Sequence, residues 1–327
     1  MNGGQMAIRQ RLGKTDIEVT PVGLGCWQFS AGQGLAGKYW EAIPQQAIDQ
    51  VVQASLAGSI NWFDTAEIYG NGASERALAA ALRRAGIANG EVVVATKWSP
   101  LFRTAGSLRA TIRQRLSSLA PFGIDLHQVH NPLSFSSIEA EMKAMADLVA
   151  ARNIAAVGVS NFNRTRMRRA HSALAKYGLA LASNQVKYSL LDRRVESNGI
   201  LAAAKELGIT IIAYSPLEQG LLTGKYHLHP EYVKTRPGPR KWMGRFGAQG
   251  LERSRPLIEE LSRIAVAHGA TAGQVALAWL YQFHKNAVVV IPGASRVEQA
   301  VENRGALELT LSSFELDRLD QMSLQFK

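Results

Sequence analysis

The stretch Asn61-Trp62-Phe63-Asp64-Thr65-Ala66-Glu67-Ile68-Tyr69-Gly70 decides how the chain is read. The apolar run over 60–63, preceded by Gly58 and Ser59, is short and aromatic and predicts a buried strand. Asp64 stands at its C-terminal end, and Tyr69 follows in the loop above it. Val92-Val93-Val94-Ala95-Thr96 stops in the same way at Lys97, and Ile124-Asp125-Leu126-His127-Gln128-Val129 stops at His130. Three successive β-units each deliver an ionisable group to the same edge. A parallel barrel gathers such edges on one face, where barrel enzymes keep their chemistry.

The pattern extends outward from these units. Residues 8–12 and 17–20 flank Gly13-Lys14-Thr15-Asp16 and predict a β-hairpin. Residues 21–27 supply a first barrel strand. Helix–strand pairs follow at 45–56 and 60–63, 75–84 and 92–96, 107–119 and 126–129, 138–151 and 155–159, 165–176 and 182–186, 199–206 and 210–213, and 273–283 and 287–291. Eight strands, all but the first preceded by a helix with 3.6-residue apolar spacing, predict an α/β fold. Closure gives a (β/α)8 TIM barrel, expected as one domain over residues 1–327. Two helices, 256–268 and 313–322, stand outside the repeat. An open doubly wound sheet is the rival, and it carries phosphate-binding glycines after its first strand. Gly32-Gln33-Gly34-Leu35-Ala36-Gly37 has that literal spacing, but Lys38-Tyr39-Trp40-Glu41 follows instead of a helix, so it reads as a loop near the barrel mouth. From Leu217 to about Arg255 periodicity is weak, and Pro230, Pro237 and Pro239 argue against a long helix. Its place after the seventh strand predicts a lid over the catalytic face.

Composition narrows the function classes. The 327 residues are 46% hydrophobic and 19% charged, enough for a large core. A single cysteine, Cys26, precludes an intramolecular disulfide and fits a reducing compartment. No signal-peptide pattern or span of roughly 20 apolar residues occurs, so the expected location is cytoplasmic, without a membrane partner. The net charge of +11 is concentrated at Arg164, Arg166, Arg168 and Arg169 and between Lys225 and Arg255. No nucleic-acid module is present and aromatics do not interleave the basic run, so no nucleic-acid partner is expected. His227 and His229 flank Leu228 without a third ligand at a recognised spacing, so no metal is expected either. Nothing in the pattern specifies an oligomeric state.

Asp64, Tyr69, Lys97 and His130 together suit carbonyl reduction. A tyrosine, with an ordinary pKa of about 10, is a weak acid at neutrality. A neighbouring ammonium favours phenolate, so Lys97 is expected to lower the Tyr69 pKa. Asp64 can pair with Lys97 and offset its burial. His130 can offer an N–H to the carbonyl oxygen while Tyr69 donates the proton. Trp27, Tyr39, Trp40, Trp98 and Phe102 are candidates for an apolar substrate wall, with core packing the equal alternative for each.

This constellation resembles the aldo-keto reductase family, whose tetrad is Asp, Tyr, Lys and His in this order at these strand ends. The likeness runs from about Arg9 to about Ser323. It implies reduction of a small-molecule aldehyde or ketone with NADPH as cofactor, and it makes Trp27, Tyr69, Trp98 and His130 the substrate-binding set. It places Gly25, Trp27 and Asp64 near the cofactor. Gly158-Val159-Ser160-Asn161-Phe162 and Ala182-Ser183-Asn184-Gln185 are similar to segments whose Ser160, Asn161 and Gln185 would hold the nicotinamide carboxamide, which needs both donors and acceptors. Tyr214-Ser215-Pro216-Leu217 is similar to the segment whose aromatic stacks on the nicotinamide. Glu218-Gln219-Gly220-Leu221-Leu222-Thr223-Gly224-Lys225-Tyr226 resembles the branch that includes potassium-channel β subunits and plant pyridoxal reductases. There Ser215, Pro216, Leu217, Gln219, Gly220 and Lys225 would meet the cofactor, the last part covering its pyrophosphate. In Ile291-Pro292-Gly293-Ala294-Ser295-Arg296, continuing to Gln299, Glu302 and Asn303, the likeness assigns Ser295, Arg296 and Gln299 to the 2′-phosphate and Glu302 and Asn303 to the adenine. Gly293 stands where other members carry Lys, a departure for which Arg296, with Arg240 from the lid, would compensate. Two other functions fit the tetrad. One is a cofactor-binding, redox-sensing regulatory subunit with little turnover, and the other is a barrel isomerase or lyase, which leaves the cofactor motifs unexplained.

Overall fold

The computed structural model of the chain describes residues 8–34, 41–235 and 239–327, with backbone alone at 239 and 240. Tyr39 and Trp40 lie outside the described residues, as does the Arg240 side chain.

Strands β1 (Gln10–Arg11) and β2 (Glu18–Val19) form the antiparallel hairpin. Eight parallel strands follow: β3 (Leu24–Gly25), β4 (Trp62–Asp64), β5 (Val93–Trp98), β6 (Leu126–Val129), β7 (Ala156–Ser160), β8 (Leu181–Lys187), β9 (Thr210–Tyr214) and β10 (Val288–Ile291). They pair in chain order. The two end strands meet through parallel bridges Val22 to Val290 and Gly25 to Gly293, which close the barrel. The closing bonds are backbone ones: Gly23 N donates to Val290 O at 2.9 Å and Val290 N to Pro21 O at 2.8 Å. Gly23 is required at this seam, since a Cβ there would sit 2.3 Å from the Trp62 indole.

Side chains alternate across each strand with period two. One face packs against the surrounding helices in the main core. The other fills the barrel interior with Trp62, Ala95, Leu126, Ala156, Ala182, Ile212 and Val289, and Leu12 and Val19 of the hairpin join this cluster. The hairpin is therefore a plug at the N-terminal end of the barrel. Two residues further along the same faces lie Asp64, Lys97, Gln128, Gly158 and Tyr214. The alternation that fills the barrel below thus places the polar groups at its C-terminal mouth.

The repeat helices form where the apolar spacing predicts them, with ends within a residue or two. One helix, Gln45–Leu56, and one strand, β6, have the expected bounds. The last repeat helix, Ala272–Phe283, starts with a reciprocal cap in which Thr271 Oγ1 accepts from Gln274 N and the Gln274 side chain accepts from Thr271 N.

The segment after β9 differs from expectation. It is a chain of short turns, Glu218–Thr223, Lys225–Leu228, Tyr232–Thr235, Pro239–Trp242 and Gly244–Phe246. Leu221, Tyr226, Val233, Phe246 and Leu251 give it a small apolar core of its own. The extra helix expected from 256 begins at Ala248 and runs to Ala267, with Pro256 inside it. An interior proline costs about 3 kcal/mol in a helix. Burial of Leu251, Leu257, Ile258, Leu261 and Ile264 along one face offsets that cost and carries the helix through the proline.

Beside the mouth, ion pairs tie the post-β8 turn to the C-terminus. Arg193, fully buried, donates to Glu196 and to Asp320, and its backbone N donates to Phe326 O at 2.7 Å. Burial pushes the Asp192 carboxyl up, but Arg194 and Lys187 outweigh it and hold it at about 2. Glu196 is depressed as well, burial again being outweighed, here by His284, Arg193 and Tyr188. Carboxyls with depressed folded-state values contribute stability above their unfolded values of about 4 and lose it as pH falls. The melting temperature is therefore expected to fall steeply between about pH 4 and pH 2. An Asp192→Asn variant, lacking one of these groups, should show a shallower acid slope.

Candidate active site

The centre of the mouth is a buried ion pair. Lys97 is fully buried and Asp64 is 2% exposed. All three ammonium donors of Lys97 have partners: Asp64 Oδ1, Thr65 O at 2.9 Å and Tyr69 Oη at 3.4 Å. Burial alone would lower the lysine pKa, but Asp64 and Tyr69 outweigh it, and the ammonium titrates above its ordinary value. The second carboxylate oxygen, Oδ2, accepts from Gln128 Nε2 and Gln185 Nε2, both at 2.9 Å. The pair is thus satisfied on every side, as a buried charge must be.

Tyr69 stacks on Trp27 with ring centres 5.9 Å apart and meets His130 edge-on at 5.7 Å. Its pKa departs from expectation. Burial raises it, Lys97 pulls it down, and burial is the larger effect. Tyr69 is therefore firmly protonated at neutral pH, and Lys97 acts on the charge that forms only when the proton leaves. His130 is held neutral, burial and the Lys97 ammonium driving its pKa to about 3. Its buried Nδ1 has no hydrogen-bond partner in the chain. A neutral imidazole beside a tyrosine hydroxyl suits a carbonyl oxygen, which can accept from both.

The remaining predicted residues sit around this centre. Ser160 Oγ donates to Gln185 O at 2.9 Å. Asn161, at φ 60°, donates from Nδ2 to His130 O at 3.2 Å, and its Oδ1 accepts from Tyr214 Oη at 3.1 Å. Ser160, Asn161, Gln185 and Tyr214 are thus contiguous. Gln185, however, spends its amide donor on Asp64 and on Gln128 Oε1, which leaves its own carbonyl oxygen for a ligand. Trp98 does not line the mouth. It is 1% exposed, and its indole N–H donates to Ser107 Oγ at 3.0 Å, so it backs the wall from the core. Phe102 is exposed at 77% and lies against Phe135 on the adjoining loop.

The residues expected to meet the cofactor run from Tyr214 to the helix after β10. Ser215, Glu218, Gln219 and Gly220 all have positive φ, at 52°, 46°, 56° and 91°. Four such residues within one short turn bend the backbone sharply around Pro216 and Leu217, and the turn is closed by Glu218 N donating to Ser215 O and Gly220 N donating to Leu217 O, both at 2.9 Å. A Cβ at Gly220 would lie 2.7 Å from Lys225 Nζ, so the glycine admits that ammonium. Opposite, a Cβ at Gly25 would lie 2.9 Å from Ile291 O. Helix Val297–Gly305 starts at Arg296 with no side-chain cap, leaving first-turn N–H groups for an anion. Arg296 is exposed beside it. Ser295 N and Oγ both donate to Gln299 Oε1, Glu302 Oε1 accepts from Thr271 Oγ1, and Asn303 is buried with Nδ2 3.4 Å from Gly293 O. Where Gly293 stands, the Gln28 amide fills the space a side chain would take, 2.1 Å from an ideal Cβ. These features fit a phosphate-bearing dinucleotide.

Two functional neighbours escaped the sequence reading. Gln128 braces Asp64, and its signal was present, since period two places it on the inward face two residues before His130. Glu218, fully buried, pairs with Lys187 at 2.5 Å and with Arg245 of the lid. That pairing crosses 27 residues, and no local pattern announces it. Among the described residues, no group of three or more His, Cys, Asp and Glu is placed to hold a metal ion, and no helix is long and apolar enough to cross a membrane.

The comparisons with known proteins agree with this geometry. Residues 21–324 match the model of the Aldo/keto reductase family. An uncharacterised oxidoreductase of Mycobacterium tuberculosis is 38% identical over 311 residues, covering 95% of this chain and 91% of that protein. The chloroplastic pyridoxal reductase of Arabidopsis thaliana is 34% identical over 324 residues, covering 95% and 85%. Among solved structures, the glycerol dehydrogenase of Gluconobacter oxydans superposes with a TM-score of 0.82 at 25% identity, over 97% of this chain and 95% of that one. A thermostable aldo-keto reductase in complex with the inhibitor epalrestat gives 0.76 at 28% identity, over 96% and 99%. With barrel, mouth and relatives in agreement, this chain is a member of the aldo/keto reductase family and an oxidoreductase of the carbonyl-reducing kind.

Proposed function

We propose that the chain reduces aldehydes or ketones to alcohols with NADPH, and that Tyr69 supplies the proton. The observation that carries this reading is the buried Asp64–Lys97 pair with Tyr69 Oη on its third donor and the neutral imidazole of His130 edge-on to the Tyr69 ring. When bound, the nicotinamide supplies the hydride. The chain's own residues do the rest. Tyr69 and His130 bind the carbonyl oxygen and orient the carbon. As negative charge grows on that oxygen, Tyr69 releases its proton and Lys97 stabilises the phenolate left behind. Asp64, held by Gln128 and Gln185, keeps Lys97 charged and fixed. Ser160, Asn161 and the Gln185 carbonyl hold the carboxamide, Tyr214 lies under the ring, and Ser215 to Gly220 with Lys225 receive the pyrophosphate. The cytoplasmic setting read from the sequence is part of the same proposal.

The preference for NADPH rests on Arg296 and the uncapped helix start beside it. Losing one charge-assisted contact is worth about 1.5–3 kcal/mol. Arg296→Ala is therefore expected to weaken NADPH binding on the order of tenfold or more, with NADH binding nearly unchanged. Fluorescence titration of both cofactors checks this. Equal affinity of the native chain for the two would remove the NADPH assignment while leaving the reaction class untouched.

A further inference from the structure

The connection between Asp64 and Tyr69 must hold a hydroxyl 3.4 Å from Lys97 Nζ, yet it is a loop. Its fastening is found at Glu67. The backbone N of Glu67 donates to Lys97 O at 3.2 Å. Its carboxylate Oε1 accepts from Ser99 N at 2.6 Å and from Arg103 Nη1. Oε2 faces Arg115 Nη1 at 3.8 Å. Both the main chain and the side chain of Glu67 are thus tied to the end of β5 that carries Lys97. Arg103 continues the connection. It donates to Ser99 O at 3.0 Å and to Ser107 Oγ at 3.0 Å, and it lies 5.5 Å over the Trp98 ring.

Tyr69 is anchored on its far side as well. Glu75, fully buried in the first turn of helix Ala73–Arg84, pairs with Arg115 at 3.1 Å and accepts from Thr96 Oγ1 at 2.6 Å. Thr96 precedes Lys97 on β5. Arg115 therefore lies between two carboxylates, one before Tyr69 in the chain and one after it. Gly72 N closes the loop by donating to Glu67 O at 2.8 Å. These contacts join the loop to β5 and to helix Gly106–Leu119, which carries Arg115.

We propose that Glu67 is a positioning residue that sets the separation of Tyr69 from Lys97 by strapping the Asp64–Tyr69 connection to the end of β5. The inference rests on the reading of Tyr69 as proton donor. Glu67 touches neither substrate nor cofactor in this account. Its effect is on the geometry of proton transfer, where a displacement of about 1 Å costs on the order of 10²-fold in rate.

The test compares Glu67→Ala, Glu67→Gln and Tyr69→Phe. It measures kcat with 4-nitrobenzaldehyde, NADPH affinity by fluorescence titration, and thermal unfolding. Glu67→Ala is expected to lose kcat between about 10-fold and 10²-fold while binding NADPH as the native chain does. Glu67→Gln keeps an oxygen to accept from Ser99 N and Arg103, so it should recover most of that loss. A group that merely filled space would show no such split between kcat and cofactor affinity. Should Glu67→Ala fail to fold, Arg103→Gln cuts one arm of the strap at a partly exposed position and should give the same pattern, reduced in size. If Glu67→Ala turns over like the native chain while Tyr69→Phe is inactive, the positioning role is wrong and the proton donor stands. The positioning role is equally wrong if kcat and NADPH affinity fall together. If Tyr69→Phe keeps full activity, the proton-donor reading fails and this inference fails with it.

Discussion

Tyr69→Phe is expected to reduce carbonyl turnover by at least roughly two orders of magnitude, the usual contribution of a placed general acid. The substitution removes one oxygen and little else. The ring keeps its stack on Trp27 and its edge contact with His130. NADPH affinity should therefore survive. Loss of a buried hydroxyl that accepts from Lys97 leaves the ammonium with Asp64 and Thr65 O and one donor unpaired, so the melting temperature should fall by the equivalent of about 1–3 kcal/mol. The residual rate belongs to His130 and Lys97. Because Tyr69 titrates above the ordinary tyrosine value, carbonyl reduction by the native chain should not lose its proton donor anywhere near neutral pH. The reverse reaction, which needs phenolate, should rise with pH through the alkaline range.

Lys97→Met is expected to be the more damaging substitution, because it strikes stability as well as chemistry. Asp64 would remain buried with only Gln128 and Gln185 to solvate it. Removing one partner of a buried pair costs about 3–5 kcal/mol. Removing both, in Asp64→Asn with Lys97→Met, should restore much of that stability and none of the activity. Chemical denaturation of the single and double variants checks the first statement, and the aldehyde assay checks the second. The pH sign is fixed by the raised lysine value. A cation whose folded-state pKa lies above its unfolded value of about 10.4 contributes fully below that value and is lost as pH rises through the folded one. The native pair is therefore intact across the physiological range, and the deficit of Lys97→Met appears at neutral pH.

Much of this was legible in the sequence for a specific physical reason. In a barrel, period two does the placing. Once 60–63 is a strand with Trp62 inside, Asp64 must also face inward, at the mouth. The same holds for Lys97 above Ala95 and for Tyr214 above Ile212. Local pattern and global fold agree there. Reading failed where contacts cross many residues. Trp98 is a candidate for the wall with core packing the equal alternative, and alternation turns it away from Lys97 into the helical layer, where Ser107 receives its N–H. The effect of Lys97 on Tyr69 had the right direction and the wrong sum, because the depth of burial is not a property of the motif. Pro256 misled as to where its helix starts, since an apolar face over Leu251 to Ile264 outweighs one missing hydrogen bond. Glu67 stood inside the deciding stretch itself, yet its partners Ser99, Arg103 and Arg115 lie on the next unit, and only the folded chain brings them to it.

The central claim is that a hydride and the Tyr69 proton reach the same carbonyl. The most direct measurement uses NADPH carrying deuterium at C4 of the nicotinamide, in each of its two epimers, with 4-nitrobenzaldehyde and the native chain, followed by mass analysis of the alcohol. The account predicts deuterium in the product from one epimer and not from the other, as a nicotinamide held on one face by Tyr214 requires. Alcohol without deuterium from either epimer, or NADPH bound without any alcohol formed across a panel of aldehydes and ketones, would contradict it.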